Sequence, residues 1–183
     1  MPNAKRRAVF LDRDGVINDA LVVNGKPFSP MNHAELRILP GVPEACAQLK
    51  KAGFLLIVVT NQPDIANAKT TAARVDELNQ AVKKATGVDD IFVCPHNDAA
   101  NCDCRKPKPG LLLQAAQRWD IDLANSFMVG DRWRDVEAGR SAGCRTVFID
   151  YGYKEPRPER PDMVTTSLAA ITPDIIKISE GLR

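Results

Sequence analysis

Residues 8–15 read Ala8-Val9-Phe10-Leu11-Asp12-Arg13-Asp14-Gly15. Four apolar residues run without a polar break and end on two carboxylates and a glycine. Such a run is too short for a helix and does not alternate, so it fits a strand buried on both faces of a sheet. The pattern recurs along the chain. Phe54–Val59 is followed by Thr60-Asn61-Gln62, and Ile91–Val93 by a cysteine-rich loop ending in Arg105 and Lys106. Phe127–Val129 is followed by Gly130-Asp131, and a fifth run covers Thr146–Ile149. Helical patterns lie between the runs. Pro43–Ala52 carries proline near its start and Gly53 just past its end, with Val42, Ala45, Cys46 and Leu49 on one face. Thr71–Ala85, Leu111–Trp119 and Arg134–Ala142 read the same way, and a last helix is expected over Pro173–Glu180 behind the N-cap Thr172. Alternating strands and helices predict one α/β domain over residues 1–183, built on a central parallel sheet.

The bulk composition narrows the function. The 183 residues are 44% hydrophobic and 26% charged, an ordinary globular balance, so a core is expected without disulfide support. A net charge of +2 gives no support for nucleic acid or an anionic membrane as partner. Lys5-Arg6-Arg7 has no apolar segment of signal-peptide type behind it and reads as a solvated N-terminus. The longest apolar stretch is far too short for a bilayer. The expectation is a cytoplasmic, monomeric protein. Tyr151–Pro161, rich in proline and charge, reads as a surface loop, and Asn24-Gly25 as a hairpin turn in the long connection after Asn18.

In open α/β sheets, ligands bind beyond the carboxyl ends of the strands. Asp12, Asp14, Thr60, Lys106, Asp131 and Asp135 all fall there. Each alone has a bland reading as a cap or turn residue; together they have a chemical logic. Carboxylates gathered at one point raise each other's pKa unless a cation neutralises them, and an all-oxygen set suits Mg2+. Asp12 can attack phosphorus, while Asp14 can protonate the leaving oxygen and then deprotonate water. Thr60 and Lys106 can donate to the phosphoryl oxygens.

The stretch from Cys94 to Cys104 holds three of the five cysteines and one of the two histidines. Cys94, His96, Cys102 and Cys104 can close a tetrahedral site with no position left for water, which predicts a structural Zn2+ rather than a catalytic one. Its expected role is to fix the loop just before Arg105 and Lys106. Cys46 and Cys144 read as core, and His33 as a turn residue.

FLDRDGVIN at Phe10–Asn18, VVTNQ at Val58–Gln62, RKPKPG at Arg105–Gly110 and MVGDRWRD at Met128–Asp135 resemble, in order, the motifs of the haloacid dehalogenase superfamily of phosphohydrolases. DRDG and the cysteine loop are similar to those of its subfamily IIIA, the subgroup holding the heptose 1,7-bisphosphate 7-phosphatases and histidinol-phosphate phosphatases. The resemblance implies a three-layer Rossmann-like fold with small loop caps and a zinc-binding loop. It implies Asp12 as nucleophile, Asp14 as general acid/base, Thr60 and Lys106 as phosphoryl stabilisers, and Mg2+ on Asp12, the Asp14 carbonyl and Asp131, with Asp135 supporting. Asn18, Asn61, Gln62, Arg105 and Arg132 would contact a small phosphorylated metabolite. The implied substrate is heptose 1,7-bisphosphate, with histidinol phosphate or a polynucleotide 3′-phosphate as alternatives. A phosphotransferase, or a zinc-loop binding module without catalysis, are the competing classes. The chain departs from the pattern after Gln62: Pro63-Asp64-Ile65-Ala66-Asn67-Ala68 stands where many heptose bisphosphate phosphatases have Ser-Gly-Ile-x-Arg-Gly.

Overall fold

The computed structural model describes residues 5–181. In chain order the strands are β1 (Ala8–Leu11), β2 (Leu21–Val23), β3 (Lys26–Phe28), β4 (Leu55–Asn61), β5 (Asp90–Cys94), β6 (Phe127–Gly130), β7 (Arg145–Ile149) and β8 (Met163–Thr165). The helices are α1 (Val42–Lys51), α2 (Ala72–Thr86), α3 (Gly110–Trp119), α4 (Trp133–Ala142) and α5 (Leu168–Glu180). Six strands form one parallel sheet in the order β5-β4-β1-β6-β7-β8. The chain therefore winds outward from β1 to one edge, returns, and winds to the other. That reversal places a crevice beyond the carboxyl ends of β1 and β6.

The apolar runs are buried on both faces because the side chains alternate between two helix layers. Val9, Leu11, Leu56, Val58, Phe127 and Val129 pack with residues of α1, α2 and α5. Ala8, Phe10, Leu55, Ile57, Val59 and Met128 pack with residues of α3 and α4 on the other side. The result is the expected three-layer α/β fold. A two-stranded antiparallel hairpin, β2–β3, turns at Asn24 and Gly25. Both turn residues have positive φ, 54° and 81°, which asparagine and glycine tolerate. This hairpin is a small loop cap.

The structure differs from expectation in three places. Helix α5 starts at Leu168, capped by the Ser167 hydroxyl, which accepts from the Ala170 amide at 3.1 Å. Thr172 is not its cap; its hydroxyl donates to the Leu168 carbonyl at 2.8 Å, one turn back. Pro173 inside the helix forfeits one backbone bond, and burial of Leu168, Ile171 and Ile175 offsets it. Strand β8 follows the Tyr151–Pro161 loop as an edge strand of three residues, too short to announce itself. Arg7 is not simply solvated: its guanidinium lies 5.1 Å from the Phe54 ring centre and donates to the Ser179 carbonyl at 2.8 Å. No described helix is long and apolar enough to cross a membrane.

Candidate active site

Asp12 follows β1 directly, and its amide donates to the Val129 carbonyl of β6 at 3.0 Å. Asp131 follows β6. Two glycines let the acidic groups approach. A Cβ on Gly15 would lie 2.0 Å from an Asp131 oxygen, and one on Gly130 would lie 2.0 Å from the Asp135 Cβ. Gly15 also has φ of 85°, so the turn demands it twice over. Oxygens of Asp12, Asp131 and Asp135 thus come within 4.8 Å of one another, all three residues buried.

Lys106 reaches this cluster from the loop between β5 and α3. Its Nζ lies 2.9 Å from Asp12 Oδ1 and 2.6 Å from Asp135 Oδ1, and donates to the Val59 carbonyl at 2.8 Å. Asn61, at the end of β4, pins the Lys106 backbone from both sides. It donates to the Lys106 carbonyl at 3.0 Å and accepts from the Lys106 amide at 3.1 Å. Burial alone would lower the Lys106 pKa; Asp12 and Asp135 outweigh it and raise the ammonium above its usual range. One cation does not neutralise three buried carboxylates. Burial, with Asp135 and Asp14 nearby and Lys106 opposing, pushes Asp12 up to about 6. Burial and the charges of Asp12 and Asp135 push Asp131 well above the carboxylate range. Neither buried Asp131 oxygen makes a hydrogen bond of ordinary length; the Tyr153 hydroxyl approaches and pulls against the upward shift without overcoming it. Under-partnered anionic oxygens beside a like-charged pair are what a hard divalent cation would relieve, so the residues fit Mg2+.

Asp14 stands outside that cluster in a dense network. Oδ1 accepts from Arg13 Nε at 3.0 Å and Asn18 Nδ2 at 2.9 Å. Oδ2 accepts from Arg13 Nη2 at 3.1 Å, the Ser29 hydroxyl at 2.6 Å and Gln62 Nε2 at 3.0 Å. Burial would raise its pKa, but the Arg13 charge and these donors hold it below the usual value. Arg13 is fully buried and also donates to Asn79 of α2 at 2.9 Å.

The carboxylates, Lys106 and Thr60 line a cleft of about 50 Å³, together with Asn61, Arg132, Arg134 and the cap residues Pro27–Ser29. The cleft shares its Pro27–Ser29, Asn61 and Arg132 walls with a cavity of about 420 Å³ that also reaches Arg105. Asn61, Arg105 and Arg132 therefore face ligand space. Asn18 and Gln62 do not: both are buried behind Asp14, held by their bonds to it, and line neither space. Both donate to Asp14, so in this structure they support its carboxylate. Several participants escaped the sequence reading. Arg13 was visible inside DRDG but alternates away from the ligand face. Ser29, Arg134 and Glu155, which ion-pairs with Arg132, come from segments distant in sequence and carried no signal of their own.

Around the cysteine loop, Cys94 Sγ lies 3.1 Å from Cys104 Sγ and 3.7 Å from Cys102 Sγ, and Cys102 and Cys104 are 3.4 Å apart. His96 Nδ1 lies 3.7 Å from Cys94 Sγ and 3.4 Å from Cys104 Sγ. With Zn–S near 2.3 Å, a tetrahedron has edges of about 3.8 Å, close to these spacings. None of the cysteines is in a disulfide. Burial and the two neighbouring thiols push Cys104 up to about 12, a crowding that Zn2+ would relieve. Beyond the four donors, Asp98 accepts from Arg105 Nε at 2.8 Å and Arg134 Nη1 at 3.1 Å, tying the loop to ligand space. Cys46 and Cys144 are buried in the core and His33 is exposed in a turn, as expected.

Comparisons with known proteins agree with this geometry. The profile of the haloacid dehalogenase-like hydrolases matches residues 26–143. The D-glycero-beta-D-manno-heptose-1,7-bisphosphate 7-phosphatase of Escherichia coli is 38% identical over 185 residues, covering 93% of both chains. The enzyme of that name from Vibrio cholerae is 41% identical over 154 residues, covering 78% of this chain and 80% of its own. Among solved structures, the D,D-heptose 1,7-bisphosphate phosphatase from B. bronchiseptica, complexed with magnesium and phosphate, superposes with a TM-score of 0.77 at 30% identity, covering 94% of this chain and 99% of that one. With its sheet, its motifs and these relatives in agreement, the chain belongs to the haloacid dehalogenase-like hydrolases.

Proposed function

We propose that this protein is a magnesium-dependent phosphatase that removes the 7-phosphate of D-glycero-beta-D-manno-heptose 1,7-bisphosphate through an aspartyl-phosphate, within one hydrolase domain. The observation that carries the reading is Asp12 fixed at the switch point beside Lys106 and the under-partnered oxygens of Asp131. The relatives supply the substrate.

Asp12 Oδ1 is occupied by Lys106 and by the Arg13 amide at 2.8 Å. Oδ2 is left to attack phosphorus as the P–O bond to the sugar breaks. Asp14, held ionised by Arg13 and its other donors, first takes a proton from the bound phosphate monoanion or solvent and then gives it to the departing alkoxide. It then takes one from water, which attacks the same phosphorus, releases phosphate and restores Asp12. To carry a proton Asp14 must turn one donor into an acceptor, and the Ser29 hydroxyl is the partner that can reverse. Lys106 and Thr60 meet the charge spreading over the phosphoryl oxygens. Mg2+ held by Asp12, Asp131 and the Asp14 carbonyl would neutralise that charge and the carboxylates. Zn2+ on Cys94, His96, Cys102 and Cys104 would fix the loop that presents Arg105 and Lys106, taking no part in the reaction.

The test is phosphate release, with magnesium, from both anomers of the heptose bisphosphate, from histidinol phosphate and from a 3′-phosphorylated oligonucleotide. Selective turnover of the heptose bisphosphate, abolished in Asp12→Asn, is expected. Turnover of only another substrate would keep the chemistry and overturn the substrate. Turnover unaffected by Asp12→Asn would overturn the mechanism.

A further inference from the structure

We infer that Lys26 and Lys69 form the subsite for the second anionic group of the substrate, the phosphate that is not cleaved. The inference rests on the bisphosphate reading above and deepens it. Its ground is the cavity of about 420 Å³ beside the reaction cleft, whose wall carries Lys26, Lys69, Arg105 and Arg132 against only Asp64 and Glu155. Four cations face two carboxylates, an excess of two positive charges that matches one phosphate dianion.

The commitments of these cations differ. Arg132 is held by Glu155 through two parallel contacts, and Arg105 by Asp98 at 2.8 Å and the His96 carbonyl at 3.2 Å. They frame the cavity as fixed guanidinium walls. Lys69 is only loosely paired, 3.6 Å from Asp64, and 63% exposed. Lys26 makes no ion pair among the described residues. The uncommitted charge therefore comes from the two lysines, one from the hairpin cap and one from the turns after β4.

Those turns explain why a lysine takes this part. Asn67, whose side chain could otherwise face a ligand, is tied to the cysteine loop: its Oδ1 accepts from Asn97 Nδ2 at 3.0 Å. Lys69 follows two residues later, its amide bonded to the Asp64 carbonyl at 2.9 Å, so its stem starts from a fixed backbone position at the cavity edge. The shared walls of cleft and cavity let one small molecule place its reacting phosphate at Asp12 and its other phosphate between the lysines.

The experiment compares heptose 1,7-bisphosphate with heptose 7-phosphate, which lacks only the second anion. Lys26→Met and Lys69→Met should each raise KM for the bisphosphate about tenfold, the loss of one charge-assisted contact. They should leave its kcat, and both constants for the monophosphate, unchanged. Lys84→Met, whose exposed lysine on α2 lies outside this cavity, is the control for surface charge. Equal effects on both substrates, or none, would overturn the inference while leaving the phosphatase intact. A wild-type protein that hydrolyses neither compound would overturn the function reading and the inference together.

Discussion

Two regions of this molecule are built to hold a cation, and they do it in opposite ways. Asp12 and Asp131 follow central strands and Asp135 stands in the first turn of α4; all three are buried, and Asp12 and Asp135 already share Lys106. Their geometry is set by the core, so a cation there would add charge balance rather than shape. Cys94, His96, Cys102 and Cys104 lie on a loop with little apolar content: Asn97–Asn101 carries nothing larger than alanine to bury. There the cation would supply the shape. A hard ion in a rigid oxygen site serves chemistry, whereas a soft-donor ion in a weak loop serves architecture.

The largest effect should come from the first region. Asp12→Asn should lower kcat by roughly 10⁴-fold or more, the scale seen when a nucleophile is removed, while zinc content by elemental analysis stays unchanged. Zinc loss in that variant would break the separation. Cys102→Ser reverses the test. It should lose zinc, unfold about 5 °C or more lower and drop kcat by about tenfold, because Arg105 and Lys106 are no longer held; full zinc occupancy would count against the site.

A third effect is in pH. Asp12 is raised from 3.8 to about 6 in the folded chain without metal. Between those values the folded state binds more protons than the unfolded one, so stability falls as pH rises through that window. Asp131 is shifted in the same direction. Melting of zinc-loaded, magnesium-free protein should therefore decline from pH 4 to 6, and magnesium should abolish the decline. A flat profile without magnesium would mean that Lys106 alone balances the cluster. The smallest effect is local. Ala68, in the departing segment, has φ of 55°, a left-handed position that costs a non-glycine residue about 1 kcal/mol. Ala68→Gly should raise stability in denaturant titration by about that amount, with KM for the bisphosphate unchanged.

The contrast also explains what could be read from the sequence. Asp12, Thr60 and Asp131 were legible because each follows an apolar run, and a run's end is a fixed place in an open α/β sheet; Lys106 was legible through the cysteine loop that precedes it. The cysteine loop was legible because four donors lie within eleven residues. The supports were not. Arg13 and Asn79 meet across 66 residues, Ser29 and Asp14 across 15, and Glu155 and Arg132 across 23. Such pairs are chosen by packing, and no local pattern announces them. Asn18 and Gln62 illustrate the same limit from the other side: the motifs carry both residues, and only the packing shows that both donate to Asp14.

The central claim is that Asp12 carries the phosphoryl group. Mixing protein with the heptose bisphosphate and magnesium, quenching in acid within the first turnover and mapping peptides by mass spectrometry tests it directly. The account predicts one added phosphoryl group on the peptide containing Asp12, absent from Asp12→Asn. A phosphoryl group on any other residue, or none at all while substrate is consumed, would contradict it.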